Sequence, residues 1–162
     1  METEATAPEP QEFTILENNS YSPPDKITLK LVSPEIGLGV FATKTIKKNT
    51  LIERCPLIRL NWHRNYHGDP QLHRYLYTNK GCQCQECQSH GPIMFMVLGY
   101  GMLYNHHDSP NGIWNFHFKE LYADIIANEN IKAGEQILVS YGDIYFSNRD
   151  KADLKNYPKT SG

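Results

Sequence analysis

The chain carries almost no surplus charge: 16 Lys and Arg stand against 18 Asp and Glu, a formal net of -2. Without a basic excess it does not fit sequence-blind binding to phosphate backbones, and no direct nucleic-acid contact is expected. Long hydrophobic runs are also missing. The longest, IMFMVLGYGMLY at residues 93–104, has 12 residues including two glycines, short of the roughly 20 that cross a bilayer, so no membrane span is expected. The opening METEATAPEPQEF has neither a positive start nor an apolar core. No secretory signal is read there, and an intracellular, reducing compartment is the expectation, nucleus and cytoplasm not being distinguished. Cysteine is scarce and bunched: Cys55, Cys82, Cys84 and Cys87 do not make a disulfide framework and read as thiols or ligands. At 162 residues the chain has the length of one domain, commonly roughly 100–200 residues, which excludes a multidomain machine.

Residues 1–25 hold few large apolar groups and read as a flexible arm. From Lys26 the pattern changes. Ile27, Leu29 and Leu31 alternate with polar residues, predicting a strand buried on one face. A glycine turn, IGLG, follows; VFATKTI and LIERCPLIRL then predict two short strands about a Lys47-Lys48-Asn49 turn, with Pro56 marking an edge or a break. Residues 61–92 are polar, rich in His and Gly, and read as an irregular insert with one helical turn near Gln71 to Tyr77. The run 93–104 is ambiguous between strand and buried helix. IWNFHF, LYADIIA and, after a turn at Ala133-Gly134, ILVSY read as strands; residues 148–162 read as a tail or short helix. Many short strands with few helices predict a mainly β fold.

Three separated segments carry the candidate chemistry: EIGLGVFA at 35–42, LYNHHDSPN at 103–111 and AGEQILVSYG at 133–142. Singly, each has a bland reading: a tight turn, a capped Asx-Pro turn, a core tyrosine at a strand end. In this order and at these separations they resemble the SET-domain protein lysine methyltransferases, whose pattern is G-x-G, then N-H-S-x-x-P-N, then G-E-E-L-x-x-x-Y-G. The likeness extends over about residues 26–147. His107 stands where the family usually has Ser, and Ser140 where an acidic residue often precedes the tyrosine.

The resemblance implies a β-clip fold of several small sheets around a pseudoknot, with the C-terminal strand threaded under a loop, a rare exception to unthreaded connections. It implies methyl transfer from S-adenosylmethionine to a protein lysine, a histone tail being the natural first substrate. Gly37, Leu38 and Gly39 would cradle the methionine end of that cofactor. Tyr104, Asn105 and His106 would meet its amino-acid moiety and adenine, and Pro110-Asn111 would anchor their loop. Tyr141 would be the positioning phenol, touching both cofactor and substrate. Trp114, Tyr141, Tyr145 and Phe146 would line the lysine channel, although most aromatics in any chain are ordinary core. The alternative from another class is a catalytically silent SET-like module that binds a peptide or partner protein through the same groove. A small zinc-ribbon-like adaptor is a third.

Such a transfer has two needs. Lysine must be neutral, and with an unperturbed pKa of ~10.4 its deprotonation at pH 7 costs about 4–5 kcal/mol; an apolar channel and a nearby positive sulfonium both lower that pKa. The amine lone pair must also lie in line with the methyl and its departing sulfur.

The second unusual feature is C-x-C-x-x-C-x-x-H, formed by Cys82, Cys84, Cys87 and His90. It reads either as a structural zinc site or as reduced thiols in a surface loop. Many SET enzymes carry a zinc-binding cysteine cluster after the tyrosine; this chain has no cysteine there. His63 and His67, four apart, and His73 read as a solvated loop, because Gly68-Asp69-Pro70 breaks any helix. Lys44, Lys47 and Lys48 read as a solvated turn.

Overall fold

The computed structural model describes Tyr21, residues 23–63, Asp69 and residues 71–142. Most of the expected arm, the tail over 148–162, His67, Tyr145 and Phe146 lie outside the described residues, as do the side chains of His63 and His73.

The first strand, β1 (Ile27–Ser33), turns back at once into β2 (Gly37–Ala42). Ser33 Oγ accepts the Ile36 N–H at 3.2 Å and closes the turn. The alternation of β1 holds at its start, where Ile27 is buried, and fails at its end, where Leu31 is 65% exposed. The reason is the hairpin register: Leu31 pairs with Leu38 at the tip, beyond the reach of the core, and Leu38 is exposed as well. Two short strands complete this sheet: β6 (Asn105–His106) and β9 (Gln136–Val139), in the order β1-β2-β9-β6. The β6–β9 pair is parallel, which joins two segments far apart in sequence.

The second sheet is antiparallel, ordered β4-β5-β3-β8-β7, from β3 (Leu51–His63), β4 (Tyr77–Thr78), β5 (Ile93–Val97), β7 (Gly112–His117) and β8 (Tyr122–Ala127). Here β3 departs from expectation. It is one central strand of 13 residues, with Pro56 neither at an edge nor at a break. The proline is tolerated because of where its missing N–H points. The Pro56 carbonyl accepts the Leu98 N–H, one residue past the end of β5, whereas the next residue, Leu57, donates to Leu121 on the β8 side. The absent donor therefore falls where the β5 ladder has already ended. Two residues before Pro56, Arg54 and its cross-strand partner Asp124 form a bidentate pair, 2.7 Å in both arms, and the guanidinium lies 4.3 Å from the Tyr122 ring.

The ambiguous run 93–104 resolves into β5, a turn, and one 3-10 turn at Gly101–Leu103. Four of the five β5 residues are buried; a strand covered on both faces loses period-2 alternation, so its sequence does not announce it. The insert is more ordered than expected. It holds a 3-10 turn at Leu72–Arg74, where one was anticipated, and a short helix α1 (Gln85–His90), where none was. Cys84 caps α1 by accepting the Cys87 N–H, and Arg59 reaches Glu86 at 2.9 Å.

Two buried clusters share one face of β8: Ile125 and Ala127 join the first sheet's core with Val40, Ile137 and Val139, and Ala123 joins Cys55, Leu57, Phe95 and Val97. Trp114 packs against both. The lock between the sheets is polar. Asn111, 1% exposed, donates to the Gln136 carbonyl at 2.9 Å and accepts the Leu138 N–H at 2.8 Å. Asn111→Ala strands both backbone groups of β9, and urea titration should show a loss of about 2–4 kcal/mol of unfolding free energy; a loss below about 0.5 kcal/mol, the level of an ordinary surface change, would remove the lock from this account.

Candidate active site

The three motif segments converge. Asn105 in β6 commits both amide protons, one to the Leu38 carbonyl at 3.2 Å and one to Gln136 Oε1 at 3.0 Å. That side chain therefore joins β2, β6 and β9 at one point. Gly39 is needed there for space: a Cβ would collide with Gln136 Oε1 and stand 2.7 Å from Val32 Cγ2 and 2.9 Å from Asn105 Nδ2. Its bareness serves contact with this chain's own side chains, whereas the sequence reading assigned it to a bound molecule. Gly37 differs: it takes φ 87° and a Cβ there would meet nothing within 4 Å, so open space lies beside the turn.

His106 is buried, and both ring nitrogens are engaged. Nδ1 accepts the backbone N–H of Tyr141 at 3.0 Å, so the proton sits on Nε2, which faces Asp108 Oδ1 at 3.0 Å. The ring is thus a strut between β6 and Tyr141, two residues past the end of β9. Tyr141 is held at both ends. Its N–H goes to His106 and its hydroxyl donates to the Tyr104 carbonyl at 2.7 Å. With that proton committed, the phenol oxygen meets an approaching group as an acceptor.

Tyr104 is itself fixed from below. Its ring is fully buried and its hydroxyl donates to Glu53 Oε2 at 2.7 Å, while Glu53 Oε1 accepts the Tyr100 N–H at 2.9 Å. Burial, then the Glu53 carboxylate, pushes the Tyr104 phenol well above its usual range. Burial likewise pushes the Cys55 thiol up. A line of rings runs away from Tyr104: Trp114 at 6.1 Å between centroids, Phe116 stacked on Trp114 at 5.1 Å, Phe118 stacked on Phe116 at 5.0 Å, with Tyr77 against both Trp114 and Phe116. The Trp114 indole N–H is buried with no acceptor among the described residues.

Of the expected site residues the structure therefore brings together Gly37, Leu38, Gly39, Tyr104, Asn105, His106 and Tyr141, with Trp114 adjoining through Tyr104. Sequence reading missed Glu53 and Gln136, both buried. Gln136 had a signal, since it stands where the G-E-E-L pattern has its second glutamate; Glu53 had none beyond an acid inside an apolar strand.

The cysteine cluster forms a second convergence. The ligand atoms of Cys82, Cys84 and Cys87 lie within 4.8 Å of one another, a set compatible with zinc, and His90, exposed at the end of α1, is not among them. The Cys87 N–H lowers the Cys84 thiol's pKa, whereas burial pushes Cys87 up to about 11.

A family model described as SET domain matches residues 37–142. The chain is 30% identical over 110 residues to the histone-lysine N-methyltransferase, H3 lysine-37 specific, of Schizosaccharomyces pombe, spanning 66% of this chain and 67% of that protein. A Plasmodium falciparum protein named as a candidate histone methyltransferase has a crystal structure similar to this one, with a TM-score of 0.55 and 35% identity over 72% of this chain and 93% of that one.

The Tyr104–Glu53 contact sets a pH dependence. The folded-state pKa of Tyr104 is raised, so as pH climbs past the ordinary tyrosine value of about 10 the unfolded chain gives up this proton first. Stability from this group is intact below that pH and falls above it, by up to about 1.4 kcal/mol per pH unit. In urea titrations between pH 8 and 11, Tyr104→Phe should flatten that decline and lower stability at neutral pH by about 1–3 kcal/mol, because Glu53 loses a buried partner. An unchanged slope in the variant contradicts the assignment.

Proposed function

Because the chain belongs to the SET-domain family, we propose that it transfers methyl groups from S-adenosylmethionine to a lysine side chain of a protein, a histone tail being the substrate class. The observation that carries the reading is that Asn105 meets the Leu38 carbonyl at the start of β2 while its chain neighbours Tyr104 and His106 hold Tyr141. The names of the relatives, a histone-lysine methyltransferase from fission yeast and a candidate histone methyltransferase from Plasmodium, support the substrate class. An intracellular, nuclear place of action follows from such a substrate, and no described helix is long and apolar enough to cross a membrane.

The residues present fit the cofactor. Asn105 has spent both amide protons, and its Oδ1 takes no hydrogen bond from the described residues, leaving an acceptor suited to an ammonium group. Beside it the Gly37 turn has room that a side chain at that position would begin to fill. When bound, the cofactor supplies an electrophilic methyl group on a sulfonium.

The chain's own part is placement. Tyr141 cannot swing: the His106 strut and the Tyr104 carbonyl hold its two ends. Its oxygen, an acceptor in this arrangement, can take an N–H of the incoming amine and so aim the lone pair, or take weak C–H contacts from a polarised methyl. The wall of Trp114, Phe116 and Tyr77 offers apolar surface against which a lysine stem can lie, and such surroundings disfavour the ammonium form. Tyr141 thus acts by position, its hydroxyl keeping its proton while donating a hydrogen bond to the Tyr104 carbonyl.

Two measurements test this. With tritiated cofactor and core histones, the wild-type chain should label a histone, and Tyr141→Phe should lower the rate by about a hundredfold, the cost of a misplaced reacting group. Absence of any wild-type labelling, or full activity in the variant, refutes the reading. In calorimetry Asn105→Ala should weaken cofactor binding by tenfold or more, as expected when a charged hydrogen bond of about 1.5–3 kcal/mol is lost; unchanged affinity removes Asn105 from the site.

A further inference from the structure

We propose that Cys82, Cys84 and Cys87 hold one zinc ion as thiolates, and that this ion braces the aromatic wall next to the candidate active site. The inference stands independently of methyl transfer. It starts from the geometry of the three sulfurs. All lie within 4.8 Å of one another, and Cys82 Sγ is 3.3 Å from Cys84 Sγ. Zinc–sulfur bonds of about 2.3 Å in a tetrahedron place sulfurs about 3.8 Å apart, so small side-chain shifts bring the cluster onto a metal.

The surroundings are those of a thiolate site. The Cys87 backbone N–H points to Cys84 Sγ at 3.5 Å. Asn79, 5% exposed, lies with Nδ2 3.8 Å from Cys87 Sγ, and its Oδ1 is fixed by the Ile93 N–H at 2.8 Å. The Cys87 N–H is a donor aimed at sulfur, the kind of outer hydrogen bond that orients metal ligands and stabilises their charge. The Asn79 amide faces Cys87 Sγ with Nδ2 at 3.8 Å and Oδ1 at 3.9 Å, so that loss of the thiol proton leaves Nδ2 as the hydrogen-bonding partner. Among the described residues no other ligand atom joins the three. Binding is not a redox step: three S–H bonds break, three protons pass to solvent, and three sulfur–zinc bonds form.

Position gives the ion a role. Tyr77 lies two residues before Asn79 and touches Trp114 and Phe116, with centroids 5.3 and 5.1 Å away. The Cys82 N–H is bound to the Asn79 carbonyl, and Cys82 and Cys84 pack on the same core cluster as Tyr77, Trp114 and Phe116. A metal joining Cys82 and Cys84 to Cys87 would close the segment from Tyr77 to α1 and hold Tyr77 on the wall. This lies before the Asn105 motif in the chain, apart from the cysteine cluster that many SET enzymes carry after the tyrosine.

The test uses the full chain. Native mass spectrometry and elemental analysis should find one zinc per chain, and cobalt(II) in its place should give sulfur-to-cobalt charge-transfer absorption with the visible bands of a tetrahedral site. Cys84→Ser should lower zinc affinity by more than about a hundredfold, beyond the cost of losing an outer hydrogen bond. Cys82→Ser, which leaves the α1 cap intact, should do the same. The chain has two tryptophans, so in a Trp62→Phe background only Trp114 emits, and removing zinc by chelation should shift that emission to longer wavelength. No bound zinc and no cobalt–thiolate band, wild-type affinity in both serine variants, or a Cys82–Cys84 disulfide in zinc-replete protein overturns the site. Loss of zinc with unchanged Trp114 emission overturns the brace.

Discussion

Everything around Tyr141 depends on keeping β6 and β9 side by side, and the pair is too short to manage it through backbone bonds alone. Parallel pairing is weaker per residue than antiparallel, and β6 has two residues. The chain adds buried amides. Asn111 grips the β9 backbone at Gln136 and Leu138, Asn105 meets the Gln136 side chain, and His106 takes the Tyr141 N–H. Each of these polar groups is costly to bury alone and favourable when matched. That asymmetry makes the arrangement all-or-none: the segments sit in this register or the amides are stranded.

A second layer works the same way from beneath. Glu53 reaches up from the central strand to hold the Tyr104 ring and the Tyr100 N–H, and the Tyr104 carbonyl is what receives Tyr141. An acid inside an apolar strand, silent in the sequence, thus sits two hydrogen bonds from the Tyr141 hydroxyl, with Tyr104 between them. The long unbroken course of β3 is what carries Glu53 to that spot, and it survives Pro56 because the lost donor lies past the end of β5.

The strands were largely legible because most follow period-2 alternation or stand between glycine and asparagine turns. Alternation misled where burial differs along a strand: Leu31 fits the pattern and is exposed, because the hairpin tip outruns the core. It was mute where a strand is covered on both faces, as in β5. The helix α1 escaped notice because its order comes from a cysteine cap and an Arg59–Glu86 contact made across the fold. At the candidate site, the motifs pointed to Asn105, His106 and Tyr141, and the structure adds contacts that the sequence did not announce: the His106 ring is a strut, and Gly39 makes room for Gln136. Buried partners such as Gln136 and Glu53 look, in a sequence, like any surface polar residue. The Cys82, Cys84 and Cys87 cluster was visible by spacing, whereas the exclusion of His90 from the converging atoms needed coordinates.

The most direct test of the central claim is a crystal structure of the chain with S-adenosylhomocysteine. The account predicts the amino-acid end of the ligand against Asn105 and the Gly37 turn, with its sulfur facing the Tyr141 hydroxyl. A ligand seated elsewhere, or one that separates β6 from β9 on entry, would contradict it.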